Sequence, residues 1–189
     1  MSVAGIVLAA GGSSRLGRPK QLLLHRGRPL VRLVAEEALA SMCDHVIVVL
    51  GAAEAAIRPA LAGLDVAITV NPLWAEGMGS SIRGGVELAV REGCSAALLM
   101  LCDQPALDTA HLDALLGAHR RSGGVVASRY DDVLGVPAVF DQSTFADLLA
   151  LQGAEGAKKV LRRAREVTAI DWPQGAQDID TPEDAARLL

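Results

Sequence analysis

The sequence predicts an α/β fold with a mostly parallel sheet, and three observations carry that prediction. Four short runs rich in Val, Ile and Leu alternate with segments of helical periodicity. Those runs lack polar alternation, as expected of strands covered on both faces. The loops of unusual composition all follow the carboxyl ends of the runs, the edge where open α/β sheets bind ligands.

The first strand is read from "GIVLA" (5–9). The segment "MSVAGIVLAAGG" is apolar but has no basic flank and is interrupted early by glycine, so it reads as a strand rather than a signal peptide. "PLVRLVAEEALAS" (29–41) puts Leu30, Leu33, Val34 and Ala38 on one helical face. The next strands are "HVIVVL" (45–50), "VAITV" (66–70) and "AALLML" (96–101). Over 108–124, Leu112, Leu115 and Leu116 recur at helical spacing; Asp108 or Thr109 can cap the start and Gly123 the end.

Beyond about residue 125 the pattern loosens. "GVVAS" and "GVPAVF" read as strands, with room for an antiparallel member. Helices follow near 142–151 and 155–165, then a short strand "EVTAID" (166–171). "TPEDAARLL" (181–189) opens a last helix, with Thr181 as cap, Pro182 at the first helical position and Asp184 at the capping-box acid. No repeat or linker interrupts the chain, so residues 1–189 are expected to form one domain.

Composition narrows the function. Half of the 189 residues are hydrophobic, enough for a sizeable core. A net charge of −4 gives no global positive field for nucleic acid, and 3% aromatics leaves few stacking platforms for single strands. Cys43, Cys94 and Cys102 lie far apart, which argues against a disulfide framework or zinc site and predicts a reducing, cytoplasmic setting. The apolar runs are too short to span a membrane.

The loop after the first strand concentrates Gly11, Gly12, Gly17, Ser13, Arg15, Arg18 and Lys20. Two common phosphate loops do not fit it. The spacing is not G-x-G-x-x-G, and in the Gly12–Gly17 frame Arg18 and Pro19 stand where the ATP loop needs Lys and Ser or Thr. What remains is a glycine backbone that a ligand can approach, with Arg15 to grip phosphate oxygens and Lys20 as a point charge, against the plainer reading of a solvated loop.

Asp103, in "CDQP" (102–105), ends the fourth strand, and its carboxylate suits a magnesium ligand or a turn cap. Cys102 reads as a small apolar strand residue rather than a nucleophile. In "NPLWAEGMGSSIRGG" (71–85), Gly77, Gly79, Ser80 and Ser81 can present backbone and hydroxyls to a base or ribose, or cap a helix. Trp74 is read as loop packing or an acceptor contact, Gln104 as a ribose or acceptor contact, and Arg83 as a further phosphate contact. His25, His45, His111 and His119 lack metal spacing and are assigned to surface or packing, and Asp171 to a strand end.

"LAAGGSSRLGRPKQLL" (8–23) resembles the nucleotidylyltransferase signature LAAGxSxRMGxxKxLL, with Leu16 in place of the usual Met. "NPLWAEGMGSSIRGG", "CDQP" and "DIDTPED" (178–184) resemble, in order, further motifs of the molybdenum-cofactor nucleotidylyltransferase family, as do "GVPAVF" and "GAEGAKKVL". The resemblance implies a Rossmann-like three-layer αβα nucleotidyltransferase domain. It adds Leu8, Ala9 and Ala10 to Gly11, Gly12, Ser13, Arg15, Lys20, Gly79, Ser80 and Ser81 as nucleotide-binding residues. It also makes Arg15, Lys20 and Asp103 catalytic. Mg2+ would be held by Asp103 with Asp180 or Asp178; a strand-like DID would face both the same way, so spacing does not choose.

The Leu-Ala-Ala-Gly reading resembles the cytidylyl branch, where guanylyl members carry Leu-Ala-Gly-Gly; the Ala10 methyl would narrow the base pocket. The implied reaction joins CMP from CTP to the terminal phosphate of molybdopterin and releases pyrophosphate. A molybdoenzyme or its maturation factor would be the downstream partner. The alternatives are the same chemistry on a sugar phosphate or other acceptor, and a non-catalytic carrier of the cofactor.

Overall fold

The computed structural model describes residues 1–186. Strands β1 (Val3–Ala9), β4 (His45–Leu50), β5 (Ala67–Val70) and β6 (Ala96–Leu101) pair in parallel, joined through helices α1 (Leu30–Ala40), α2 (Glu54–Ile57) and α3 (Met78–Arg91). A small antiparallel pair, β2 (Leu24–His25) and β3 (Arg28–Pro29), precedes α1. After α4 (Thr109–Ser122) come β7 (Val125–Tyr130), β8 (Val133–Asp141), α5 (Phe145–Leu149), α6 (Lys158–Arg163), β9 (Val167–Asp171) and α7 (Pro182–Ala186). The seven-stranded sheet runs β5-β4-β1-β6-β8-β7-β9.

Every residue of β1 is buried, and its side chains alternate between the two faces of the sheet with period two, as the pleat requires. Val3, Val7 and Ala9 face one layer, with Val31, Val34 and Ala38 of α1, Ile57 of α2 and Leu112, Leu115 and Leu116 of α4. Ala4, Ile6 and Leu8 face the other, with Ile82 and Val86 of α3, Phe145 and Leu148 of α5 and Val160 of α6. Gly85 lets α3 lie flat on the sheet: a Cβ there would stand 2.6 Å from Ile6 Cγ2. The three-layer α/β expectation therefore holds, and its mostly parallel sheet is built from the predicted runs.

Two details differ from the sequence reading. β5 is an edge strand rather than one covered on both faces, and Val70 is 45% exposed. The antiparallel member is β8, inserted between β6 and β7. It follows β7 through a two-residue turn in which Asp131 and Asp132 both take positive φ (48° and 58°), a conformation Asp tolerates and one that matches hairpin twist. Asp108 is the cap of α4, accepting from the His111 amide at 2.8 Å. The Thr181–Asp184 capping box forms as expected, while the predicted continuation through Arg187, Leu188 and Leu189 lies outside the described residues.

The register aligns the carboxyl ends of the parallel strands: Leu8 is opposite Leu101, and Ala9 opposite Leu50. The loops after β1, β5 and β6 thus open on one edge. Because β8 runs antiparallel to β6, its amino-terminal half reaches the same edge. The three cysteines are free thiols, and no helix among the described residues is long and apolar enough to cross a membrane.

Candidate active site

The loop after β1 is shaped from within by Gln21, which is fully buried. Its Nε2 donates to the Ala9 carbonyl at 2.9 Å and the Gly11 carbonyl at 2.8 Å, and its Oε1 accepts from Ser13 Oγ. Ser13 Oγ in turn accepts from the Lys20 amide at 3.0 Å. The Ser13 hydroxyl therefore closes the loop on itself. Gln21 was not among the residues singled out in the sequence; the one signal was a carboxamide inside the apolar run after Lys20, where a buried polar side chain must find partners.

That loop delivers Lys20 to a corner made by two distant segments. Lys20 Nζ donates to Asp103 Oδ2 and, at 2.9 Å, to Asp180 Oδ1. Arg15 Nη1 reaches Asp180 Oδ2 at 3.0 Å from solvent. Asp180 is held there by its neighbours. The Ile179 amide donates to the Asp103 carbonyl at 3.0 Å, and the Ile179 side chain packs with Leu23, Leu30 and Ala185, with Leu16 alongside. Leu16, which stands where the signature usually has Met, serves as an apolar contact that fastens the loop to this carboxyl-terminal segment.

The electrostatics follow from burial. Burial works to lower the Lys20 pKa, but the Asp103 charge and the hydrogen bonds to Asp103 and Asp180 outweigh it, and Lys20 is held above the ordinary lysine value. Burial pushes the Asp103 carboxyl up, with Lys20 pulling against it. The hydrogen bond from Lys20, followed by the charges of Lys20 and Arg15, holds Asp180 below the usual carboxylate range. Burial also pushes the Cys102 thiol up to about 12, which leaves it inert at neutral pH.

Asp103 Oδ1 is buried and has no hydrogen-bond partner. A buried carboxylate oxygen left bare is costly, and a divalent cation is one partner that would satisfy it. Among the described residues no group of three or more His, Cys, Asp or Glu side chains forms a metal cage. Two carboxylates, with substrate oxygens and water completing the shell, suit magnesium or manganese better than zinc. Asp103 and Asp180 fit that role. Asp178 makes no ion pair with Lys20 or Arg15, although its charge is near enough to push the Asp103 carboxyl up. Residues 177–180 are irregular rather than strand-like, and Asp178 is exposed on the wall of a neighbouring cavity, so the expectation that both carboxylates of DID face one way is corrected.

Beside the corner lies a cavity of about 210 Å³, walled by Leu8, Ala10, Gly11, Trp74, Gly77, Met78, Ser81 and Leu101 together with Lys20 and Asp103. A second cavity, of about 490 Å³, shares Leu8, Met78 and Leu101 with the first and extends over Gln104, Tyr130, Val136 and Asp178. The first is mostly apolar with two charged side chains in its wall, a composition that suits a ligand with an apolar ring and charged groups.

Not every residue singled out in the sequence meets there. Ala9 points into the opposite layer and contributes its carbonyl to Gln21. Gly12 admits the Trp74 ring, whose Cζ3 lies 3.1 Å from where a Cβ would stand, while Gly11 is open. Gly79 abuts the 151–152 backbone, and its amide donates to the Gly153 carbonyl at 3.1 Å. Ser80 is buried, its hydroxyl bonded to the Leu73 and Gly77 carbonyls and to Asn71. Arg83 donates to the Leu151 carbonyl, away from the corner. Trp74 both packs on the loop and lines the cavity. His111 is a packing residue, stacked on Trp172 with ring centroids 4.6 Å apart; burial, its largest cause, lowers its pKa to about 4.

Residues 5–168 match the family described as the MobA-like NTP transferase domain. The chain belongs to that family. The match covers the loop of Lys20 and Asp103 and stops short of Asp180. Proteins similar to this chain carry several names. Nicotine blue oxidoreductase of Paenarthrobacter nicotinovorans is 36% identical, over 99% of this chain and 96% of its own length. A molybdenum cofactor guanylyltransferase of Rhodobacter capsulatus is 29% identical, over 99% and 95%. Among solved structures, Rv0371c of Mycobacterium tuberculosis H37Rv superposes with a TM-score of 0.83 at 32% identity, covering 100% of this chain and 98% of that one. A further crystal structure of Rv0371c is described as a complex with manganese (TM-score 0.80).

Proposed function

We propose that the chain is a Mg2+-dependent nucleotidylyltransferase that joins CMP from CTP to the terminal phosphate of molybdopterin and releases pyrophosphate. The observation that carries the proposal is the corner itself: a buried, unpartnered oxygen of Asp103 beside Lys20 and Asp180, with Asp103 and Lys20 in the wall of a mostly apolar cavity. The manganese complex of Rv0371c supports a divalent ion, and the guanylyltransferase relatives support a molybdenum-cofactor acceptor.

The acceptor's terminal phosphate, whose second pKa is about 6, is already a dianion at neutral pH. Its oxygen attacks the α-phosphorus of CTP. The bond from that phosphorus to the bridging oxygen breaks, and pyrophosphate leaves with the electron pair. No general base is required, which accords with a cavity whose described lining carries Lys20 and Asp103 and no histidine. Asp103 and Asp180 would hold the ion, and when bound it neutralises phosphate charge. Lys20 offsets negative charge as it grows in the transition state, and Arg15 grips the outer phosphates. The Paenarthrobacter relative's name describes redox chemistry, but the loop here lacks the G-x-G-x-x-G turn of dinucleotide binders.

The test is pyrophosphate release with Mg2+, each of the four NTPs, and either molybdopterin or a sugar phosphate. Turnover with CTP and molybdopterin supports the reading; turnover on the sugar phosphate alone overturns the acceptor, and a tight molybdopterin complex without pyrophosphate points to a carrier. Ala10, on the cavity wall, is proposed to set the base. Ala10→Gly should raise the GTP:CTP ratio of kcat/KM by about tenfold, the usual reach of one methyl group in a pocket, and an unchanged ratio would remove Ala10 from base choice.

A further inference from the structure

We infer that Trp74 is the platform on which the nucleobase stacks, so that one indole supplies affinity for the ring while Lys20 and Arg15 serve the phosphates. The inference rests on the nucleotide reading above and adds the residue that receives the base.

The chain is poor in aromatics, with two tryptophans, two phenylalanines and one tyrosine. Trp74 is the one aromatic side chain in the described lining of the first cavity, and it does not line the second. It is 38% exposed, so much of a large apolar side chain stays uncovered. An indole in such a wall offers a π-face that a planar ring can cover, and every base has a matching face. The other tryptophan, Trp172, is 5% exposed and already stacked on His111.

The protein fixes the indole from two sides. A Cβ on Gly12 would stand 3.1 Å from Trp74 Cζ3, and one on Gly51 would stand 2.7 Å from Trp74 Cβ and 2.8 Å from Ala10 Cβ. Trp74 and Ala10 therefore start side by side over Gly51. The turn that carries Trp74 is pinned by Asn71, which is buried. Asn71 Oδ1 accepts from the Leu73 amide at 2.9 Å, and Nδ2 donates to Ser80 Oγ at 2.8 Å and Ser81 Oγ at 3.0 Å. Ser80 Oγ donates back to the Leu73 carbonyl at 2.9 Å, and the Gly77 amide donates to the Trp74 carbonyl at 3.2 Å. A side chain held in this way loses little freedom when a ring covers it.

Trp74 shares its cavity with Ala10, Lys20 and Asp103. A ring on the indole is thus within reach of Ala10, and the charged side chains are left to the phosphates. Stacking accepts any base, so it supplies affinity and leaves selection to Ala10.

Binding measured in Mg2+ without acceptor tests this with two kinds of probe: each of the four NTPs, and inorganic tripolyphosphate, which has the phosphates and no ring. Trp74→Leu keeps an apolar side chain and removes the π-face. It should weaken the tightest-bound NTP by about tenfold or more and tripolyphosphate by less than about twofold. In the unaltered protein that NTP should quench tryptophan emission, excited where the base does not absorb, and tripolyphosphate should not. Trp74→Phe should keep most of the NTP affinity and lose the quenching, which assigns the signal to Trp74. If Trp74→Leu fails to fold, the quenching and the Trp74→Phe variant decide.

Equal weakening of NTP and tripolyphosphate in Trp74→Leu overturns the inference, since the indole would then serve only to hold the Gly12 loop. An NTP affinity unmoved by Trp74→Leu overturns it, as does an NTP that binds without quenching. So does an unaltered protein that binds no NTP more tightly than tripolyphosphate. Pyrophosphate release with CTP and molybdopterin alongside any of these results removes Trp74's role and leaves the transferase standing. A ring-selective loss in Trp74→Leu with no pyrophosphate release from any NTP upholds the platform and removes the transferase.

Discussion

Lys20→Met separates the structural and chemical duties of the corner. The substitution keeps an unbranched apolar stem and removes the ammonium that serves both Asp103 and Asp180. The Asp103 side chain is only 10% exposed, so its carboxylate would be left buried without a counter-charge. Breaking a buried pair on one side typically costs about 3–5 kcal/mol. The cost here should depend on pH. Burial already pushes the Asp103 carboxyl above its ordinary value of 3.8, and losing Lys20 removes the main opposing influence. Between its unfolded and folded pKa values the folded chain then holds a proton that the unfolded chain has released, so stability falls as pH rises through that window. Lys20 itself, held above 10.5, adds no slope below that value. Urea melts in EDTA should therefore show a deficit of about 3 kcal/mol near pH 8 that shrinks toward about 1 kcal/mol near pH 5. Adding Asp103→Asn to the variant should recover most of the loss, since a neutral pair needs no counter-charge. Turnover should fall by about 10²–10³ in either case. A deficit of equal size at both pH values, or a double variant no more stable than the single one, would refute the account.

Three further outcomes are expected. Asp180→Asn should weaken Mn2+ binding by about tenfold or more while Asp178→Asn leaves it nearly unchanged, read by paramagnetic relaxation of water; the opposite order would move the second ligand to Asp178. Gly77 has φ of +122°, and a Cβ there would stand 2.4 Å from the Gly153 carbonyl oxygen. Gly77→Ala should thus cost about 2 kcal/mol or more and distort the Trp74–Met78 wall, and a near-normal melting temperature would contradict this. Cys102→Ala should cost about 1 kcal/mol of stability and leave turnover intact, because the thiol, pushed up to about 12, is protonated at neutral pH; loss of activity with an unaltered fold would restore a chemical role to Cys102.

The parallel half of the sheet was legible because its strands are unbroken apolar runs, a pattern that burial on both faces imposes. The same pattern misled at β5, where four residues apolar enough for an interior position lie on the edge; pairing with a missing neighbour leaves no local trace. The insertion of β8 between β6 and β7 is a nonlocal choice, and the sequence around "GVPAVF" indicates a strand but not its partner. At the site, Gly11, Lys20 and Asp103 were legible from residue type and place in the loop. Gln21 was not, because its work is done by partners on the preceding strand. Asp178 and Asp180 looked equivalent only while they were taken as strand. The Ile179 amide is claimed by the Asp103 carbonyl and the Asp180 amide by Asp184, which turns the segment and parts the two carboxylates.

The Lys20–Asp180 contact joins residues 160 positions apart in the chain. A link of that span closes only after the intervening strands have found their places. The carboxyl-terminal segment is fastened by the Ile179 amide and a small cluster around Leu23 and Leu30, a far lighter attachment than the two main cores. Such a segment opens at a lower free energy than the sheet does. Mild denaturant should thus silence the protein while its circular dichroism is still native, so that activity acts as a gauge of complete folding.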